Sequence, residues 1–415
     1  MAPSEHEMNL SCLYARGVRL ANPLVAASAG TTETLDKMRR CEDAGMAGVV
    51  MKTLFEDPAT RRDPAPMFRL LQQRTGPVRA STFYTYEQAA HLDPEQYCEE
   101  IRRAKESLGI PVIGSIACVS DEAWDTYPRL IEQAGADALE LNLSCPYSAH
   151  LTDNLSALPE FIDRTTRIAR KATRLSFAAK LTPQMSSPPQ IARLMVRAGA
   201  DAVVPFSRFA GLDIDVETEA PIMHGGMAGH GGPWSLYYVL GWLWQIREAV
   251  EVPISSSGGA WKTEDVIKHL LAGADSVQLC TVLYLQGYEA ATGMLEGLRE
   301  WMERKGYSSL SDFGGLAGRR VLRMHEVRRC QAVVAAVNSE RCTSCGTCVR
   351  VCPHGAAKEP PGAAVAVMPE ECSGCGLCVD LCPVTAISLQ PVPEGYQPRH
   401  RIASYYNVLT GEPRG

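Results

Sequence analysis

Four stretches of this chain repeat one pattern: an amphipathic helix, an Ala-Gly pair followed by a small or flexible residue, and a β-rich apolar run. They are EDAGMAGVVMK (42–52), EQAGADALELN (132–142), VRAGADAVVPF (196–206) and LLAGADSVQL (270–279). Gly45, Gly135, Gly199 and Gly273 fall where the chain leaves each helix, a position at which left-handed backbone costs glycine nothing. Each repeat therefore predicts helix, tight turn, parallel strand. The apolar runs LVAAS (24–28), PVIGSI (111–116), FAAKL (177–181) and PISSS (253–257) bring the strand candidates to eight. Strands that alternate with helices require a parallel sheet. Eight such units in about 280 residues predict a (β/α)₈ TIM barrel, with an open doubly wound sheet as the competing α/β arrangement.

The barrel pattern stops near residue 304. The organisation predicted is a barrel over 1–305, a linker and charged helical connection over 306–335, a small α+β domain over 336–390 and an extended tail over 391–415. Hydrophobic residues make up 46% of the 415 and charged residues 21%, enough for a substantial core and against disorder. A net charge of −6 is the wrong sign for a broad nucleic-acid surface. The first residues, MAPSEHEMNLSC, lack the basic start and apolar run of a signal peptide. No stretch reaches the roughly 18 uninterrupted apolar residues of a membrane span. A cytoplasmic protein is expected.

Eight of the fifteen cysteines crowd between 342 and 382, in CTSCGTCVRVCPHG and CSGCGLCVDLCPVT. Each run is C-x₂-C-x₂-C-x₃-C-P, the bacterial ferredoxin spacing for [4Fe–4S] clusters, in which the fourth cysteine of one run ligates the other run's cluster. One cluster is thus expected on Cys342, Cys345, Cys348 and Cys382, and the other on Cys372, Cys375, Cys378 and Cys352. Zinc is the competing reading, but four cysteines and a proline twice over do not suit a zinc ribbon. Such clusters move single electrons, so a barrel tied to them needs a converter to two-electron chemistry. Flavin is the obvious one.

In a TIM barrel the residues at the carboxyl ends of strands form the site, and the loops after strands seven and eight often hold phosphate. Those positions carry Gly258 and Gly259, in SSSGGAW, and Thr281, in QLCTVL. Lys52 and Lys180 end the second and fifth strands inside otherwise apolar runs, and an ammonium there suits the negative charge of a reduced flavin. No G-x-G-x-x-G lies between a strand and a helix, so a nicotinamide site on this chain is not expected.

Taken in order, NPLVAASAGTTET, VVMKT, ELNLSCP, FAAKLTP, SSSGG and the double cysteine run resemble the FMN-binding half of the dihydropyrimidine dehydrogenases. The likeness is closest to the short bacterial subunit that joins a dihydroorotate-dehydrogenase-like barrel to a ferredoxin module. It implies FMN held by Ala27, Ser28, Ala29, Lys52, Thr53, Asn142 and Lys180, with Gly229, Gly258, Gly259, Cys280 and Thr281 completing the phosphate end. It also implies a separate FAD- and NAD(P)H-binding partner, hence a homo- or hetero-oligomer, with electrons passing through the clusters.

The same resemblance makes Cys145 the general acid/base that faces the flavin across a small cyclic substrate, hydride coming from flavin N5 and the proton from the thiol. The pocket departs from the family pattern. Tyr147 stands where the pyrimidine enzymes have histidine, Ser207 and Arg208 replace an Asn-Thr pair, and Thr85-x-Glu87 replaces Asn-x-Glu. Exchanging carboxamides for hydroxyls and a guanidinium changes the hydrogen-bond code, which leaves a pyrimidine and a hydroxylated or carboxylated non-pyrimidine ring both open. Tyr84 and Tyr86 are further pocket candidates, and the loop 147–156 a candidate lid. A barrel that only relays electrons, with no substrate of its own, is the reading from another class.

Overall fold

The computed structural model describes residues 8–56, 67–75, 78–85, 91–143, 157–222, 228–323, 325–327, 333–359 and 363–392. Cys145, Tyr147 and the rest of the expected lid, together with Tyr86, Glu87 and nearly all of the tail, lie outside the described residues. Eight parallel strands form the run of the central sheet, β1 (Leu24–Ala26), β2 (Val49–Val50), β3 (Val112–Ala117), β4 (Ala138–Asn142), β5 (Phe177–Leu181), β6 (Ala202–Pro205), β7 (Ser255–Ser257) and β8 (Ser276–Leu279), and a short ninth, Leu54–Phe55, pairs with the end of β3. The eight lie in the order β6-β5-β4-β3-β2-β1-β8-β7. A parallel bridge between Val203 and Ile254, with the Phe206 amide donating to the Ser257 carbonyl at 3.0 Å, brings β6 against β7 and nearly closes the barrel. The expected TIM-like architecture is the one observed.

The helices between strands are α1 (Leu35–Asp43), α2 (Pro94–Ser107), α3 (Asp121–Ala134), α4 (Ala157–Ala172), α5 (Pro188–Ala198), α6 (Leu236–Ala249), α7 (Thr263–Ala272) and α8 (Ala290–Lys305). Gly45, Gly135, Gly199 and Gly273 all take positive φ, from +85° to +119°, so the turns that the repeats predict are in place. The aspartates of the Gly-Ala-Asp repeats add a clasp. Asp137, Asp201 and Asp275 accept the amides of Val112, Phe177 and Ile254, one strand over, and pair with Lys105, Arg170 and Arg247. Each helix-to-strand turn is thereby tied to its neighbouring strand.

Inside the barrel, Val25, Val50, Ile113, Ala138, Ala178, Ala202 and Val204 form an apolar layer. An antiparallel pair, Cys12–Ala15 with Val18–Leu20, packs Tyr14, Val18 and Leu20 beneath it and fills the amino-terminal end. The carboxyl end is left open. A second, antiparallel sheet of four strands, ordered Phe209–Gly211, Ala228–Gly231, Val78–Thr85, Phe68–Thr75, rises from the connections after β2 and β6. None of these four strands is among the eight apolar runs of the barrel.

Contacts divide the chain into two units between Arg320 and Val321. Residues 308–320 belong to the barrel unit: Phe313 is fully buried against Trp301 and Tyr307, and the Gly315 and Ala317 amides bond to the Leu270 and Leu271 carbonyls of α7. In the second unit Val333–Val337 pairs antiparallel with Ile387–Pro391, and Ala357–Lys358 with Ala366–Val367. The charged helical connection expected up to residue 335 is corrected: Gly318–Arg320 is a single 3₁₀ turn, 321–323 and 325–327 are not helical, and Val333–Val337, a Val-rich run suited to a pleated surface, is a strand. No helix among the described residues is long and apolar enough to cross a membrane.

Candidate functional site

The pleat of β4 places Leu139 and Leu141 in the outer core, while Ala138, Glu140 and Asn142 share the opposite, inward face. The same alternation turns Lys180 inward from β5 and Gln278 from β8. At the open end these strands and their following turns line one cleft. Of the candidate residues within the described part, Ala27, Ser28, Ala29, Lys52, Thr53, Thr85, Asn142, Lys180, Ser207, Arg208, Gly258, Gly259, Cys280 and Thr281 all line it. Phe55, Phe83, Phe206, Phe209, Trp261 and Tyr284 supply flat apolar walls. Gly229 is placed elsewhere, in the antiparallel sheet opposite Thr85, where a Cβ would overlap the Arg208 side chain. Gly231 and Gly232 reach the cleft in its stead. Tyr84 is fully buried with its ring edge-on to His230, and it is Phe83 and Thr85 on either side that face the cleft.

Thr53 links a row of hydroxyls. Its Oγ1 lies 2.8 Å from Ser28 Oγ and 2.9 Å from Ser115 Oγ, and accepts from Asn142 Nδ2 at 3.5 Å. On the floor, Lys180 Nζ donates to Glu140 Oε1 and to Gln278 Oε1, both at 3.0 Å. Gln278 Nε2 donates to Glu140 Oε2 at 2.7 Å, and Tyr14 OH to the same oxygen at 2.9 Å. Two buried polar atoms on cleft residues, Thr85 Oγ1 and His230 Nε2, have no hydrogen-bond partner among the described residues. A polar ligand would meet that demand.

At the β7 end, Gly258 and Gly259 take φ of +114° and +81°. A Cβ on Gly259 would overlap the backbone nitrogen of Leu236, the first residue of α6. His269 of α7 braces this turn, with Nε2 3.1 Å from the Gly258 carbonyl and Nδ1 2.8 Å from Ser256 Oγ. A carbonyl only accepts, so Nε2 carries a proton and Nδ1 takes one from the serine. Burial pushes the His269 imidazole down to about 4, so it is neutral at physiological pH. A histidine whose folded value lies below its unfolded one gives full stability above about pH 6.5 and loses it as pH falls towards 4, by about 3 kcal/mol. Native protein is expected to lose more thermal stability between pH 6.5 and 4.5 than His269→Gln; matching melting curves across that window would exclude this role.

In the second unit the eight clustered thiols sort into two cavities. Cys342, Cys345, Cys348 and Cys382 line one; Cys352, Cys372, Cys375 and Cys378 line the other. Among the described residues no three His, Cys, Asp or Glu side chains gather as a site for a single metal ion. Four thiols around a shared space suit a cluster better than zinc. Backbone amides point at the sulfurs in matching fashion: Ala356 N to Cys352 Sγ and Ala386 N to Cys382 Sγ, each at 3.2 Å and each four residues on. The Ser344 amide holds the Cys342 thiol below its ordinary value. By contrast, burial raises Cys12 and Cys41 to about 12, which makes them poor nucleophiles.

A barrel whose open end gathers two lysines, a carboxamide and a glycine turn, in one chain with two four-thiol cavities, defines a flavin and iron–sulfur oxidoreductase. The dihydroorotate dehydrogenase family matches residues 12–302, about seven-tenths of the chain, and the 4Fe-4S dicluster domain matches residues 335–383. The chain belongs to the dihydroorotate dehydrogenase family, whose members are oxidoreductases acting on CH–CH bonds. It is similar to the NAD-dependent dihydropyrimidine dehydrogenase subunit PreA of Escherichia coli, with 29% identity over 82% of this chain and 84% of that subunit. It is also similar to the catalytic subunit of dihydroorotate dehydrogenase B (NAD(+)) from Pyrococcus furiosus, with 29% identity over 72% of this chain and 96% of the relative. The corresponding subunit of Methanocaldococcus jannaschii is 27% identical over 66% of this chain and 87% of its own length.

FMN and two [4Fe–4S] clusters are the cofactors that go with this pair of domains. The residues present fit them: a left-handed glycine turn that lines the cleft, buried cations on the floor, orphaned polar atoms on cleft residues, and thiols in fours. Gly259→Ala is expected to cost at least about 1–3 kcal/mol of stability through strain at positive φ, to push the turn away from the Leu236 backbone that the new Cβ would overlap, and so to release FMN. Thermal unfolding and the flavin-to-protein ratio measure both; unchanged flavin content would remove this turn from the cofactor site. Motif reading had not picked out Glu140, Gln278, Tyr14, His269 or His230. For Glu140 and Gln278 a signal was present, a polar residue at the inward position of an otherwise apolar strand.

Proposed function

We propose that this chain reduces, or reversibly oxidises, a C=C bond of a cyclic conjugated substrate, with Cys145 moving the proton. The observation that supports it most is the gathering of Lys52, Asn142 and Lys180 at the open mouth of a family-matched barrel, three residues before Cys145 in the case of Asn142. FMN, when bound, supplies hydride transfer and the conversion between single electrons and electron pairs. Ala27, Ser28, Ala29, Thr53 and Asn142 would hold its ring edge, Lys52 and Lys180 would set the charge beside it, and Gly258, Gly259, Cys280 and Thr281 would bind its phosphate. The cluster ligands are the two sets of four cysteines given above.

A cysteine thiol has a reference pKa of about 8.5 and is largely protonated at neutral pH; that of Cys145 would deliver its proton to one ring carbon, and in the oxidative direction its thiolate would remove it. Asn142 offers both a donor and an acceptor to a cyclic amide. Arg208, Ser207 and Thr85 line the cleft, and these three, with Glu87 and Tyr147, are the residues we assign to reading the substrate ring. A guanidinium there suits a ring that carries a carboxylate or a developing enolate oxygen. A separate FAD- and NAD(P)H-binding subunit would deliver electrons to the clusters. Arg208→Ala tests the ring assignment: KM for an acidic cyclic substrate is expected to rise at least tenfold while that for a neutral ring changes little. Equal effects on both would argue against charge recognition.

A further inference from the structure

Below the cleft, three strands and the amino-terminal hairpin converge on one carboxylate. Glu140 is fully buried, and it takes hydrogen bonds from Lys180, Gln278 and Tyr14. The ion pair with Lys180 is 3.0 Å long, with side-chain exposures of 7% for the lysine and 0% for the glutamate. Gln278 closes the triangle: its carbonyl oxygen accepts from Lys180 and its amide nitrogen donates to Glu140, so the amide is fixed in one sense. An ammonium has three N–H donors. Two are committed to Glu140 and Gln278, which leaves one for the cleft that Lys180 lines.

We infer that Glu140 is a positioning residue: it compensates the buried Lys180 ammonium and fixes its direction, and so sets the reduction potential of the flavin bound above. The inference rests on the FMN reading. Its physics is short-range electrostatics in a dry site. A lone ammonium under the ring would favour the negatively charged reduced flavin over the neutral oxidised form, and a carboxylate 3.0 Å behind the ammonium offsets much of that preference. Gln278 and Tyr14 keep the carboxylate in place by occupying its other oxygen. The barrel thus carries a neutral pair where the two lysines alone would suggest a strongly electropositive floor. Removing one partner of a buried pair exposes the remaining charge, whereas removing both does not.

The test compares the native protein with Glu140→Gln and with the double variant Glu140→Gln, Lys180→Met, all as full-length protein purified anaerobically. The readouts are FMN stoichiometry and the flavin midpoint potential, taken by spectroscopic titration against a reference dye. Glu140→Gln is expected to hold FMN and to raise its preference for the reduced over the oxidised form about tenfold, about 30 mV for a two-electron couple. The double variant is expected to show no such rise, because the shift acts through the ammonium. A potential unchanged in Glu140→Gln, or an equal rise in both variants, overturns the inference. Should Glu140→Gln fail to fold while the double variant folds and binds FMN, charge compensation is supported; failure of both overturns it. Native protein that carries no FMN would instead defeat the flavin reading itself.

Discussion

Replacing Cys145 with Ala is expected to lower turnover by about 10²–10⁴-fold, the usual contribution of a positioned general acid, while FMN and both clusters are retained. The expectation follows from position and chemistry. Asn142 closes β4 on the inward face and lines the cleft, and Cys145 follows it by three residues. Reduction of an activated C=C places hydride on one carbon and requires a proton at the other, and a thiol near its ordinary pKa of about 8.5 is mostly protonated at pH 7. Cys145→Ser keeps a hydroxyl but not an acid of comparable strength, so it should lose most of the rate as well. Steady-state rates with dithionite-reduced protein, read beside flavin content, check the claim; full activity in Cys145→Ala would remove the thiol from the mechanism.

The second large effect is expected from Cys382→Ala. Although Cys382 belongs to the second cysteine run, it shares a cavity with Cys342, Cys345 and Cys348 of the first. Its loss should therefore abolish the first run's cluster and leave the other, held by Cys372, Cys375, Cys378 and Cys352, in place. Iron should fall from about eight to about four atoms per chain. Turnover that depends on a protein electron donor should collapse, while turnover driven by dithionite should persist. Iron analysis with spectroscopy of the reduced protein decides between the two clusters. Loss of the second run's cluster instead would show that each run keeps its own fourth ligand.

The barrel was legible because its strands are buried on both faces and so read as short apolar runs, and because four of its helices, α1, α3, α5 and α7, run into a glycine that turns left-handed. Gly135, Gly199 and Gly273 are the left-handed caps of α3, α5 and α6's neighbour α7. The cleft residues were legible for a related reason, since a lysine inside VVMK or FAAK has no place in an outer core. The antiparallel sheet was not. Its register joins Thr85 to Gly229, segments some 140 residues apart, and AGHG carries no β-branched signal. Nor was the triangle of Glu140, Lys180 and Gln278, because each strand contributes one member and only the closed barrel brings the three together. The aspartate clasps were present in every Gly-Ala-Asp repeat, yet their partners lie one strand away and appear only in the fold.

The most direct test of substrate chemistry in this barrel is anaerobic. The purified chain alone, its flavin bleached by stoichiometric dithionite, is mixed with a panel of unsaturated rings: pyrimidines, carboxylated rings and cyclic enones. The account predicts that at least one ring restores the flavin absorbance without a second polypeptide and leaves as its dihydro product. If no ring does so while a one-electron dye restores the colour at once, the barrel is an electron relay and the proposed reaction is contradicted.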